Sequence, residues 1–153
     1  LACVSFAPIA EDAIAKKLAQ LGRDGTVTTL GRIMSHLASQ GRQPQRFTIF
    51  HATKLPAINV QDYLARLARF YGCSDACFIL GLVYVDRLSR SLPQFVVDAF
   101  NVHRLLAIAV MLAAKFNDDA HYSNTYYAKV AGLSLKELNR LEAALLGKLN
   151  WRL

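Results

Sequence analysis

Two cysteines, Cys73 and Cys77, stand four residues apart, a spacing that puts both thiols on one face of a helix and would let two thiolates begin a metal site. No further His or Cys lies near enough in sequence to complete such a site, so core or helix-end thiols are the expectation. The histidines, His36, His51, His103 and His121, are dispersed without ligand spacing. His103 falls in the first turn of a predicted helix, a place for a helper or surface role rather than catalysis. Asp118 and Asp119 adjoin at a predicted helix end. A carboxylate dyad is conceivable there, but a solvated loop is the expected setting. The sequence holds no G-x-G-x-x-G, P-loop or G-x-S-x-G motif, and the short turn at residues 22–25 follows no strand, so it is no phosphate cradle. The reading is of a protein that is not an enzyme, with no catalytic residues, no metal ligands and no cofactor.

With no reaction centre to organise it, the chain is read through its bulk properties. Its 153 residues suffice for one domain with a real core, and 54% apolar content argues against disorder. Eight Gly and four Pro are too few for a turn-rich β sandwich and favour long helices. The net charge of +7 admits nucleic acid, an anionic membrane or an acidic protein as partner. The basic residues are spread from Lys16 to Arg152 in nothing tighter than pairs, which favours a solvated cationic surface over a nucleic-acid footprint. Cys3 makes the cysteine count odd, pointing to reduced thiols and an intracellular setting in cytoplasm or nucleus. The opening LACVSFAPIA lacks the basic start of a secretory signal. The longest apolar runs, at 76–85 and 105–114, are ten residues each; a membrane span needs about 20, so buried helices and no membrane association are expected.

Periodicity supplies the elements. Residues 8–21 read as a first helix, broken at 22–25. Leu30, Ile33, Met34 and Leu37 mark a second amphipathic helix, and 41–56 a connector. Val60, Tyr63, Leu64, Leu67 and Phe70 stripe a helix that starts near Pro56 and ends at Gly72. Ser74 and Asn101 are candidate caps of two further helices, CFILGLVYVDRLSR and VHRLLAIAVMLAAKF, both apolar on nearly every side and so expected at the centre. Residues 122–130 form a short helix. Ser134 opens the last one with Glu137 three residues on, a capping box. Its core stripe is Leu138, Leu141 and Leu145. A second arc of Glu142, Leu146, Leu149 and Leu153, turned by about 100°, exceeds what one core needs and suggests a partner.

Several local words resemble the cyclin box. YVDRLSR (84–90) is similar to the end of a cyclin's second helix, LAAKFNDD (112–119) to the end of its third, and Glu142 to a glutamate of its fifth. Asp62-Tyr63 stands where many cyclins have Asp-Trp. NVHRLLAIAVMLAAKF, YSNTYYAKVAGLS, ELNRLE and LNWRL look like the phosphate-pathway, or P/U-type, cyclins. The resemblance implies an all-α fold: a five-helix cyclin box at 52–153, after an N-terminal helical extension and connector at 1–51. It implies a regulatory subunit that binds and activates a cyclin-dependent protein kinase. By resemblance Lys115 and Glu142 bond backbone around the kinase's C helix, with Leu112, Phe116, Leu146 and Leu153 as apolar contacts and Asp62, Tyr63 and Asp86 structural. A Lys closing an apolar helix and a Glu inside an apolar arc are costly unless each finds a partner. Many cell-cycle cyclins carry an arginine where this chain has Ala57, so Asp86 needs a substitute partner, Arg66, Arg69 or backbone. Their substrate-docking patch, roughly M-R-A-I-L, reads PAINV here and is expected to be absent or altered. The alternative is a nucleic-acid-binding cyclin fold of the general transcription factor B type.

Overall fold

A computed structural model describes residues 20–41 and 47–153. Among them are six α-helices and no strand: α1 (Gly22–Gln40), α2 (Val60–Phe70), α3 (Asp75–Ser91), α4 (Val102–Asn117), α5 (Asn124–Ala131) and α6 (Leu135–Lys148). The fold is all-α, as expected. The helix read at 8–21 lies almost wholly outside the described residues.

The expected break at 22–25 is instead the start of α1. Gly22 turns the chain at φ +68°, and Arg23 then anchors the first turn. It bonds the Asp75 carboxylate at 3.1 Å and the carbonyls of Ala68 and Cys73 at 3.0 Å each. Val27, Leu30, Met34 and Ala38 form the buried face. Ile33 and Leu37 lie at its margin.

α4 occupies the centre. From Leu105 to Ala114 every residue is buried, and α2, α3, α5 and α6 all pack on it. α3 makes the closest approach, at Gly81. A Cβ there would sit 3.0 Å from Val110 Cγ2 and 3.3 Å from its backbone nitrogen. α6 turns Leu138, Leu141 and Leu145 fully inward, matching the expected stripe.

Helix starts follow local chemistry. Asn59 caps α2 by accepting from Asp62 N at 2.8 Å, and Ser123 caps α5 by accepting from Tyr126 N at 3.3 Å. The capping box of α6 is formed: Glu137 N donates to Ser134 Oγ at 3.2 Å and Ser134 N to Glu137 Oε2 at 3.1 Å. Ser74 and Asn101 hold N-cap positions without capping, because Asp118 takes the Ser74 hydroxyl and the preceding loop takes the Asn101 amide. Asn101 turns inward, accepting from Asp98 N at 2.9 Å and donating to Val96 O at 2.8 Å. Asp98, almost fully buried, accepts from Phe100 N and Asn101 N and from His51 Nε2 at 3.1 Å, while His51 Nδ1 accepts from Thr48 N. That cluster fastens the connector over the start of α4.

Two glycines separate packing from propensity. Gly81→Val should lower unfolding free energy by about 2 kcal/mol through overpacking against Val110. Gly147→Ala, on α6 with nothing within 4 Å of the new methyl, should raise it by about 0.5–1 kcal/mol. Urea denaturation reads both; equal effects of the same sign would contradict the close contact at Gly81.

Candidate functional site

The last turn of α4 comes to the surface beside the middle of α6. There Lys115 Nζ meets Glu142 Oε1 at 2.6 Å, with the two side chains 28% and 15% exposed. Asn124, first residue of α5, joins them. Its Oδ1 accepts from Lys115 Nζ at 3.0 Å, and its Nδ2 donates to Glu142 Oε2 at 2.9 Å and to Asn139 Oδ1 at 2.8 Å. After these bonds Lys115 keeps one N–H, and Glu142 keeps lone pairs on both oxygens. The cluster therefore offers a donor and acceptors to whatever lies over it. Beside it α6 presents an open face formed by Leu135, Lys136, Asn139, Arg140 and Ala143.

The apolar residues expected around the pair are placed differently from one another. Phe116 is 64% exposed and open to a partner. Leu146 is half-buried. Leu112 is buried within the core, because its side of α4 is covered, so it supports the surface without forming it. Leu153 does not continue an α6 stripe. The helix stops at Lys148, the chain reverses through Asn150 and Trp151 at φ +51° and +58°, and Leu153 packs back against the core.

The expected structural residues also resolve. Tyr63 is buried, and its hydroxyl donates to Ala131 O at 2.9 Å; burial, opposed by Arg66 and Arg104, pushes its phenol far above the usual range. Asp62 stays local, accepting from Asn59 Nδ2 at 2.7 Å. Asp86 pairs with Arg90 at 2.9 Å, one turn along its own helix. Neither proposed substitute reaches it: Arg66 donates to Val130 O, and Arg69 stacks over Phe70. At residues 56–60, where a docking patch was expected to be altered, Asn59 serves as a cap and the Ile58 carbonyl accepts from His103 Nε2 at 2.8 Å. His103 is thus a buried structural group. Desolvation lowers its pKa, against the opposing pull of the Ile58 bond.

Three residues escaped the sequence reading. Asn124 and Asn139 belong to no periodic pattern; Asn139 shares α6 with Glu142, and Asn124 meets both only through the path of the 118–123 loop. Trp151 is 73% exposed, and its backbone N–H donates to Leu146 O at 3.0 Å. Trp151 is the chain's one Trp, and its place inside the arc expected to run to Leu153 hid it as a surface residue.

Asp118, expected in a solvated loop, instead joins α4 to α3. It accepts from Ser74 N and Ser74 Oγ at 2.7 Å each, from Asn117 Nδ2 at 3.0 Å and from Cys77 Sγ at 3.3 Å. Burial opposes its ionisation, but the bonds from Ser74, Asn117 and Cys77 prevail and hold the carboxyl below its ordinary range. Cys73 and Cys77 are both buried, but α3 begins only at Asp75, so they do not share a helix face. The bond to Cys77, then burial, pushes the Cys73 thiol up, and the same bond lowers Cys77. Among the described residues no three His, Cys, Asp or Glu side chains gather to hold a metal ion, and no helix is long and apolar enough to cross a membrane.

The family model described as Cyclin matches residues 13–153. Cyclin-U4-1 of Arabidopsis thaliana is 47% identical over 111 residues, 72% of this chain and 55% of that protein. Cyclin-U1-1 of Arabidopsis thaliana is 47% identical over 103 residues, 67% and 49% of the two chains. Cyclin-P4-1 of Oryza sativa subsp. japonica is 44% identical over 102 residues, 67% and 48%. The chain spans about half the length of the curated relatives it matches. U- and P-type relatives are those the P/U-type resemblance anticipated.

The Asp118 junction makes a pH prediction. A carboxyl whose folded pKa is depressed contributes stability above its unfolded pKa and loses it as pH falls through the folded one. Glu137 is depressed likewise, first by the Ser134 backbone bond, then by the Ser134 hydroxyl and Arg104. The urea midpoint should therefore fall as pH drops below about 4. Asp118→Asn should lower the midpoint at pH 7 and shallow that acid decline, since the two Ser74 donors meet different carboxylate oxygens and the amide nitrogen that replaces one of them cannot accept. An unchanged acid slope in the variant would remove Asp118 from the account.

Proposed function

The chain belongs to the cyclin family, and from that premise we propose that it is a regulatory subunit that binds and activates a cyclin-dependent protein kinase by docking on the kinase's C helix. The observation that carries this reading is the Lys115–Glu142 pair, closed at 2.6 Å across two helices yet part-exposed. A pair made only to stabilise the fold gains little at a surface, with a typical worth of about 0–1 kcal/mol. A pair that retains an unused N–H and carboxylate lone pairs suits a different task. It can bond the carbonyl and N–H groups left unpaired at a helix end of another protein. Exposed Phe116 and Trp151 supply the aromatic anchors that concentrate interface energy.

The chemistry belongs to the kinase. An active kinase needs the Glu of its C helix paired with the Lys that holds ATP phosphates. A subunit that binds only the conformer with this pairing shifts the population toward it. Moving the equilibrium from 1:99 to 99:1 takes about 5.5 kcal/mol of differential affinity, within reach of one well-packed interface. Lys115, Glu142, Phe116, Leu146 and Trp151 supply that difference in this reading, with Leu112 and Leu153 bracing them from below. Such a subunit works inside the cell, in cytoplasm or nucleus with its kinase, and needs no cofactor of its own.

Binding of the purified chain to a panel of recombinant cyclin-dependent kinases tests the proposal. At least one should bind and gain activity. Lys115→Ala combined with Glu142→Ala should weaken that complex by about 30-fold or more, equivalent to about 2 kcal/mol, in a protein that still unfolds cooperatively. Kinase affinity unaltered in the double variant would place the interface elsewhere. DNA binding that falls steeply with salt, without kinase binding, would favour the transcription-factor-B-type alternative.

A further inference from the structure

We infer that Asn124 is a positioning residue for this surface: its side-chain amide fixes the relative orientation of Lys115 and Glu142, so that their unused hydrogen-bonding groups face the partner. The inference rests on the kinase-docking reading above and extends it to a residue on a third helix. An ammonium can only donate, so the atom of Asn124 that meets Lys115 Nζ at 3.0 Å must be the amide oxygen. The nitrogen is then committed to Glu142 Oε2 at 2.9 Å and Asn139 Oδ1 at 2.8 Å, which uses both of its hydrogens. No other orientation satisfies all three neighbours.

The consequence is geometric. Lys115 and Glu142 alone form a single contact between two flexible side chains, free to rotate about it. Asn124 adds a second point on each partner and closes the Lys–Glu–Asn triangle. Both carboxylate oxygens are then held, one by Lys115 and one by Asn124. Asn124 is not occupied with capping its own helix: Ser123 does that by accepting from Tyr126 N at 3.3 Å. Its side chain is therefore committed to the pair, and α5, only eight residues long, ties α4 to α6 at the surface where the partner is to bind. A preorganised pair avoids the cost of ordering two long side chains during binding.

Asn124→Asp separates positioning from folding. A carboxylate in the first turn of α5 is favourable to the helix and still accepts from Lys115. It cannot donate to Glu142 or Asn139, and it sets a second negative charge beside Glu142. Asn124→Leu, close in size, removes the polar contacts without adding charge. Affinity for the kinase bound by the wild-type chain is measured alongside thermal unfolding. Asn124→Asp should keep its Tm within about 2 °C while binding about tenfold more weakly. In a Glu142→Gln background the same substitution should change affinity by about twofold or less, as expected for coupled groups. Wild-type binding with unweakened binding by both Asn124 variants would overturn the inference and leave the docking proposal standing. An affinity loss that merely tracks a loss of Tm in both variants would also overturn it. Failure of the wild-type chain to bind any kinase of the panel would sink both readings together.

Discussion

Burial of α4 on all sides is the constraint from which the rest of the molecule follows. A helix without a polar face cannot sit at a surface, so the other helices must enclose it. α2, α3, α5 and α6 each give a stripe of side chains to that task. Enclosure is possible because small residues admit close neighbours: Gly81 lets α3 approach Val110, and Ala107, Ala109, Ala113 and Ala114 keep α4 itself narrow. The polar work is moved to the ends. At the start of α4 the His51–Asp98–Asn101 cluster satisfies buried backbone donors. At its finish Lys115, Asn117 and Asp118 meet groups from α3, α5 and α6.

The finish of α4 is therefore both a structural joint and the exit from the core. A cation in a last turn is favoured by the carbonyls exposed there, and Lys115 is the basic residue of that turn. It also stands next to the first strongly exposed aromatic on the helix, Phe116. Two carboxylates share the region with different duties. Asp118 turns toward α3 and receives uncharged donors, while Glu142 receives the charged one. This division keeps Lys115 aimed at α6 rather than at its own chain three residues away.

What could be read from sequence was the local part. The Ser134–Glu137 box and the Leu138, Leu141, Leu145 stripe follow from spacing alone, because both ends of each relation lie within two helical turns. The all-apolar run of α4 announced its central place for the same reason. The resemblance brought Lys115 and Glu142 forward, 27 residues apart, and the structure joins them. Relations that depend on loop paths were not legible. Asn124 reaches Glu142 only because the 118–123 segment returns α5 to that corner. Ser74 abandons its cap because Asp118 arrives from 44 residues away. Asp86 shows the opposite case: Arg66, Arg69 or backbone is the expected substitute for the missing arginine, while Arg90 stands four residues along the same helix, at a favourable spacing for a pair.

The excess of positive charge takes on a different meaning in the fold. Several arginines that might have formed an electrostatic footprint donate to backbone carbonyls instead. Arg23 serves Ala68 and Cys73 at the end of α2, and Arg66 serves Val130 at the end of α5. Arg87 reaches Arg152 O, and Arg104 reaches Ile49 O while pairing with Glu137. Carbonyls near helix ends lack intrahelical donors, and a long cationic side chain is an efficient way to supply them from a neighbouring element. Cations placed for that purpose are distributed by where such carbonyls lie, at the ends of α2 and α5 and in the segments at Ile49 and Arg152. A phosphate-binding surface needs them gathered along one groove. The Lys115–Glu142 corner differs from these contacts in being part-exposed beside the exposed ring of Phe116.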